Sequence, residues 1–284
     1  MPDSLPSYSD LVDSSTQDNI LLMGKNGSNV DTMIFVHVDL TTQKITLLSL
    51  PRDLYYDGRK INATYAEKGI AAQVAAVENV LGYKVHHYAL IDMYAFKDVI
   101  DLLGGVDVTL TEDLIDPTYK VCDGEVCSTL YYPAGTYHLN GTEALRVARS
   151  RHTTSDYSRA ERQQLILTGL KNKAQSLGFG DAATFLSVVN TVLASLETDF
   201  DAGDVLQDYF RYQNFELDSG YVLSTGNVLG NLPVPVSYVT SHPITTCTNE
   251  ADPSTCTTTY ALDALQPKDG NWDAIKWYVR EIFQ

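Results

Sequence analysis

The apolar positions change period along the chain, and those changes mark its elements. Residues 19–24 (NILLMG) are a short apolar run ending in glycine, residues 32–40 (TMIFVHVDL) alternate, and residues 45–51 (ITLLSLP) follow a turn-like TTQK. A period of two is the signature of a strand, so the chain is expected to open with three strands in a mainly antiparallel arrangement. The period then lengthens. Val74, Val77 and Leu81 recur at helical spacing within 71–82, which stops at Gly82, a residue suited to the left-handed end of a helix. Residues 86–92 predict a strand, 93–105 a helix with a glycine stop, and 106–110 another strand.

Residues 111–138 keep no sustained period and predict a long irregular region. Helices are predicted over 140–149, 157–178, 181–197 and 201–212. The tail holds the strand-like runs GYVLSTG and VPVSYVT and closes with an amphipathic helix in NWDAIKWYVREIF. Strands and helices intermix without a strict βαβ rhythm, which predicts an α/β fold: a three-layer α/β/α sandwich with a mixed central sheet. Residues 1–18 predict a flexible lead-in, and 19–284 a single domain with a core over 19–178 and a C-terminal extension over 179–284.

Composition narrows the classes of function. Hydrophobic residues make up 44% and charged residues 20% of the 284, a balance that excludes disorder. A net charge of -16 and a pI near 4.6 speak against nucleic acid as a partner, because such binding rests on neutralising many phosphates. The cysteines fall in two close pairs, Cys122 with Cys127 and Cys247 with Cys256, each bracketing a turn-rich segment. The spacings match no zinc knuckle. They predict two local disulfides and hence an oxidising, extracytoplasmic setting. No stretch reaches the ~20 apolar residues that span a membrane, and the polar start is no signal peptide. A removed signal or anchor is therefore expected ahead of residue 1.

Charge is also unevenly placed. Arg146, Arg149, Arg151, Arg159 and Arg162 all fall within RVARSRHTTSDYSRAERQQ (146–164), where mutual repulsion asks for a compensating anion. If 149–151 is extended, Arg149 and Arg151 project to the same side. In the helix that follows, with Asp156 as its expected N-cap, Arg159, Arg162, Gln163 and Ile166 share one face. Arginine suits bidentate binding of phosphate oxygens. The competing reading pairs these arginines with carboxylates such as Glu143, Asp156 and Glu161. A second segment, LSLPRDLYYDGRKINATYAEKG (48–69), places Arg52 and Asp53 just beyond a strand and adds Lys60 and Asn62. A third, GKNGSNVDTM (24–33), reads as a Gly-, Asn- and Ser-rich loop ending near Asp31, offering backbone N–H groups to an anion or a carboxylate to a metal. The common nucleotide, hydrolase and zincin signatures are absent. His86 and His87 are strand neighbours facing opposite sides, which points to structural roles rather than a shared metal.

Taken together, NILLMG…DTM, LLSLPRD, KINATYA, DLLGGVDVTL, GTYHLNGTEALRVARSR and DYSRAERQQ, in this order over roughly 19–170, resemble the LytR-CpsA-Psr family of bacterial cell-wall enzymes. The resemblance implies an α/β/α domain on the extracytoplasmic face of the membrane, behind an N-terminal anchor. It implies transfer of a glycopolymer, with its proximal phosphate, from a polyprenyl-pyrophosphate-linked donor to a peptidoglycan acceptor, assisted by Mg²⁺. By the same resemblance Arg52, Arg149 and Arg151 would hold the pyrophosphate, with Arg159 and Gln163 completing the pocket. Asp31 would bind the metal, and Asp31 or Asp53 would serve as base. Val74, Val77, Leu81, Phe96 and Ile100 are candidates for a lipid-tail channel, with ordinary core packing as their competing role. The family pattern carries an acidic residue shortly after the glycine and an Arg two positions before the Asp. Here those places hold Asn26 and Asn29, and a neutral Asn26 would bind Mg²⁺ more weakly than a carboxylate. The same residues would also serve a pyrophosphatase, with water replacing the sugar hydroxyl, or a non-catalytic carrier of polyprenyl phosphate.

Overall fold

The computed structural model describes residues 8–123, 126–150, 156–176, 182–232, 243–247, 256–260 and 264–284. Three strands open the chain as expected: β1 (Gln17–Asn26), β2 (Asn29–Asp39) and β3 (Lys44–Leu50). Each pairs antiparallel with the next. The stretch 24–33, expected as a loop, is instead mostly ladder. Only Gly27 and Ser28 stand outside the two strands, and Gly27 has φ +64°, as a two-residue hairpin turn requires. Runs of polar residues obscured strand ends that backbone pairing alone sustains.

The register of this hairpin slips once. Gly24 faces Thr32 while Lys25 faces Val30, so Asp31 has no partner and forms a bulge. In a regular strand, neighbouring side chains point to opposite faces. The bulge instead lets the consecutive residues Asp31 and Thr32 face the same cavity, while Val30 and Met33 both enter the core on the other side.

After β3 comes a small hairpin, β4 (Tyr55–Tyr56) and β5 (Arg59–Lys60), then α1 (Thr64–Lys68) and α2 (Ile70–Leu81). Helix α2 ends at Gly82, φ +76°. Strand β6 (His87–Asp92) runs parallel to β1 and feeds α3 (Met93–Leu102), which Asp92 caps by accepting from the N–H groups of Tyr94 and Ala95. The region expected to be irregular is also strand. β7 (Val106–Leu110) is followed by a ribbon of β8 (Leu114–Asp123) and β9 (Val126–Tyr132), and β10 (Gly135–Leu139) returns to pair with β7. Its ladders are fixed by cross-strand pairing, which no single-strand period reveals. Cys122 and Cys127 face each other in the ribbon and form a disulfide.

Helix α4 (Gly141–Arg149) starts in a capping box from Asn140 and Glu143. Then follow α5 (Asp156–Ser176), α6 (Ala182–Leu193), β11 (Glu197–Thr198), α7 (Ala202–Tyr212) and β12 (Glu216–Val222). The chain ends with β13 (Leu229–Asn231), β14 (Pro243–Cys247), β15 (Cys256–Tyr260), β16 (Leu265–Pro267) and α8 (Trp272–Ile282). Cys247 lies opposite Cys256 in the β14–β15 backbone register, while their side chains, like Arg151, the side chain of Asp156 and the run VPVSYVT, lie outside the described residues. No described helix is long and apolar enough to cross a membrane.

The central sheet is mixed, in the order β11-β6-β1-β2-β3-β12. Both edge strands come from beyond residue 179, so the expected C-terminal extension is part of the sheet itself. One face packs against α2 and α8, burying Leu21, Met33, Phe35 and Leu48 with Val77, Leu81, Ile275 and Val279. The opposite face buries Ile34, Val38 and Leu47 with Tyr212 and Phe215, and a further cluster joins α3, α4, α5 and β7 through Ile100, Val106, Val147 and Ile166. This is the expected three-layer α/β/α arrangement. It also corrects the channel assignment. Val74, Val77 and Leu81 belong to the core under α2, and fully buried Ile100 to the second core. Helical periodicity says that a face is apolar, not which side of the sheet it covers.

Candidate functional site

Strands β1, β3, β6 and β12 all run in one direction, since β1 and β3 both oppose β2, β6 is parallel to β1, and β12 to β3. Their C-terminal ends therefore share one edge of the sheet, the usual place for a site in an open α/β sheet. That edge borders two adjoining cavities. The first, of about 290 Å³, is walled mainly by apolar side chains, among them Leu22, Ile34, Ile91, Phe96, Leu145 and Leu167. The second, of about 1070 Å³, is more polar than the first, adding Ser49, Asp53, Lys60, Tyr157, Ser224 and Thr225 to apolar side chains such as Leu50, Leu223 and Leu265. Asp31, Thr32, Arg52, Arg159 and Gln163 border both.

This shared wall is charged. Arg52 leaves the end of β3 after Pro51 and donates from a terminal guanidinium nitrogen to Asp31 Oδ1 at 3.0 Å. Its Nε lies 3.5 Å from Asp53 Oδ2, and Lys60 Nζ holds Asp53 Oδ1 at 2.6 Å. Both carboxylate oxygens of Asp53 are thus engaged by cations, whereas Asp31 meets one among the described residues. Asn62 is buried and borders neither cavity; its backbone N–H donates to the Arg52 carbonyl at 3.3 Å and braces that turn.

Helices α4 and α5 bring the remaining arginines. Arg149 reaches the apolar cavity from the last residue of α4 and has no carboxylate partner among the described residues; it donates to Met93 Sδ at 3.4 Å. Arg159 is buried, and Gln163 one turn later sits beside it on the shared wall. Arg162 departs from the expected basic face. Only 7% exposed, it borders neither cavity and instead donates to the carbonyls of Val147 (3.1 Å) and Ser150 at the end of α4. Burial and the neighbouring Arg159 lower its pKa, against the pull of Asp116 and Glu161. A face assigned by i, i+3, i+4 spacing spans too wide an arc to separate the ligand side from the helix-packing side.

The residues present suit a magnesium ion of the kind held by one or two protein oxygens together with substrate phosphates. The Asp31 carboxylate and the Asn26 amide both border the apolar cavity beside Arg52. Among the described residues no cluster of three or more His, Cys, Asp or Glu forms a protein-only cage. His86 and His87 stand apart from this edge: His86 Nδ1 accepts from the Asn19 N–H, and His87 stacks on Phe200 at 4.4 Å.

The family model described as LytR_cpsA_psr matches residues 6–220. The chain belongs to the LytR_cpsA_psr family. It is 32% identical over 215 residues to the polyisoprenyl-teichoic acid–peptidoglycan teichoic acid transferase TagU of Bacillus licheniformis, covering 70% of this chain and 66% of that one. The transferase of the same description named TagV, from Bacillus subtilis, is 34% identical over 163 residues, 54% of this chain and 40% of the relative. The chain thus spans less than two thirds of the length of these relatives. The crystal structure of B. subtilis TagV aligns with a TM-score of 0.66 and 25% identity, covering 95% of this chain and 98% of that one.

Of the expected site residues, Asn26, Asp31, Arg52, Phe96, Arg149, Arg159 and Gln163 meet at the apolar cavity, and Asp53 and Lys60 join from the polar cleft. Asn62, Arg162, Val74, Val77, Leu81 and Ile100 do not. Missed were Leu22 and Ile34, whose neighbours Leu21 and Phe35 enter the opposite core. The unbroken apolar runs ILLM (20–23) and MIFV (33–36) were the available signal that the sheet is covered on both faces. Also missed was the cleft wall formed by residues 222–227, 231–232 and 264–265, which lies beyond the LytR_cpsA_psr match.

Proposed function

We propose that this chain transfers a glycopolymer phosphate from a polyprenyl-pyrophosphate-linked donor to a peptidoglycan hydroxyl, at the extracytoplasmic face of a bacterial membrane to which an N-terminal anchor would hold it. The observation that carries this reading is the charged wall common to an apolar cavity and a polar cleft. A lipid pyrophosphate has just these three parts: an apolar tail, a charged centre and a sugar. The names of the relatives, transferases joining a polyisoprenyl-linked polymer to peptidoglycan, support the same donor and acceptor.

In this reading the apolar cavity takes the head-proximal part of the tail, each buried methylene contributing about 0.8 kcal/mol. Arg52, Arg149 and Arg159 neutralise the phosphate oxygens, with Arg151 expected to join them, and Gln163 orients the diphosphate. The acceptor hydroxyl enters from the cleft and attacks the glycan-bearing phosphorus. Its oxygen–phosphorus bond forms as the bridging bond to polyprenyl phosphate breaks, leaving a phosphodiester. Such transfers demand positioning and charge neutralisation more than covalent help. Asp31, with an oxygen left over from its Arg52 contact, takes the acceptor proton or binds the ion, while Asp53 is committed to Lys60 and Arg52. Mg²⁺, when bound through Asp31 and Asn26, would offset charge developing on the phosphates.

The test is release of polyprenyl phosphate from a lipid-linked donor with Mg²⁺, with and without peptidoglycan fragments. Acceptor-dependent release, reduced at least tenfold in Arg149→Ala, is the expected result, as for loss of one charge-assisted contact. Equal release without acceptor would make the protein a pyrophosphatase. Donor binding without any turnover would make it a carrier.

A further inference from the structure

We infer that buried Asp116 is a positioning residue for the arginine at the end of α4, acting through Ser150. This rests on the reading that Arg149 binds phosphate. Arg149 is exposed and meets no carboxylate among the described residues, so the backbone that carries it decides where its guanidinium lies. That backbone is a helix C-terminus, whose last carbonyls lack partners within the helix. Here side chains supply them. Arg162 donates to the carbonyls of Val147 and Ser150, and Gln163 donates to that of Ala148 at 3.2 Å. The cation so placed is also favoured by the negative end of the α4 dipole.

The anchoring charge comes from the β8–β9 ribbon. Asp116 is 3% exposed and sits where the ribbon's register jumps, leaving residues 117–119 unpaired. Its Oδ1 accepts from the Thr118 N–H (3.0 Å), the Thr118 hydroxyl (2.7 Å) and the Tyr119 N–H (3.1 Å), which locks the carboxylate to its own loop. Its Oδ2 accepts from the hydroxyl of fully buried Ser150 at 2.9 Å. The same carboxylate offsets the buried charge of Arg162. Its geometry ties the ribbon to the α4–α5 junction, one residue from Arg149.

The test uses the full chain with Ser150→Ala, which removes one hydroxyl, and Asp116→Asn, which removes the charge, each alone and combined with Arg149→Ala. Farnesyl pyrophosphate affinity is measured by calorimetry. Each variant is expected to weaken binding about 3- to 10-fold alone and by less than about twofold in the Arg149→Ala background, as coupled residues do. A merely structural role would give equal losses in both backgrounds, and that result would overturn the inference. Hydrogen exchange over residues 147–150 supplies a readout that needs no ligand: roughly tenfold faster exchange is expected in both variants. Unchanged exchange would sink the positioning role even if the pyrophosphate site is real. Wild-type protein that fails to bind the probe, with exchange altered as expected, would count against the proposed function instead.

Discussion

His37 gives the sharpest quantitative expectation. It lies on β2, 1% exposed, with its ring stacked on Phe283 at 4.2 Å and edge-on to Tyr83. The Asn19 amide nitrogen donates to the Lys84 carbonyl, which leaves Asn19 Oδ1 to accept from His37 Nδ1 at 2.7 Å. The ring is therefore neutral with its proton on Nδ1, and Nε2 has no hydrogen-bond partner among the described residues. Protonating Nε2 would place an unpaired N–H⁺ among aromatic rings. Burial accordingly lowers the His37 pKa from 6.5 to about 4, Asp39 opposing and His86 assisting. Below pH 6.5 the unfolded chain takes up a proton that the folded chain refuses, so stability falls with pH until about pH 4 and then levels. Between pH 7.5 and 4.5 the loss from this one group is about 2.5 kcal/mol. In His37→Phe the stack is kept and the titration removed; the orphaned Asn19 oxygen costs about 1–3 kcal/mol at every pH. Urea unfolding at both pH values should show the variant losing about 2.5 kcal/mol less than wild type. Equal losses in the two proteins would refute the reasoning, because every other titrating group is common to both.

Three further outcomes are expected. A Cβ at Gly220 would land on the Oε1 of Gln164, whose Nε2 bonds Ser49 and the Tyr221 carbonyl; Gly220→Ala should cost at least about 2 kcal/mol in chemical denaturation. Asn26→Asp adds a charge beside Asp31 at the proposed Mg²⁺ position and should tighten Mg²⁺ binding roughly tenfold in calorimetry with farnesyl pyrophosphate present, with no change counting against Asn26 as a ligand. Leu167→Trp fills the apolar cavity and should weaken geranylgeranyl pyrophosphate at least about tenfold while sparing inorganic pyrophosphate. Equal effects on both would argue that the tail binds elsewhere.

Much of the fold was legible because periodicity and punctuation agreed: apolar runs and alternation gave the opening strands, and Gly82 marked a helix end. The ribbon β8–β9 escaped because its stability lies in cross-strand partners rather than in any pattern along one strand. Arginine placement was half legible. The motif named Arg52, Arg149, Arg159 and Gln163, but spacing could not show that Arg162 turns inward to close α4. Of the channel candidates Phe96 borders the apolar cavity, whereas those on α2 do not, since α2 and the cavity lie on opposite sides of the sheet and only the three-dimensional layering separates them.

The bulge at Asp31 carries a last consequence. The carboxylate reaches the cavity wall because β2 holds one residue more than β1 at that point, so its placement depends on a count as well as on an identity. Removing Val30 would regularise the ladder, pair Asp31 with Lys25 and turn its carboxylate away from the cavity, with every proposed site residue still present in the sequence. Relatives that differ by one residue in this hairpin should therefore be compared by strand register, not by column.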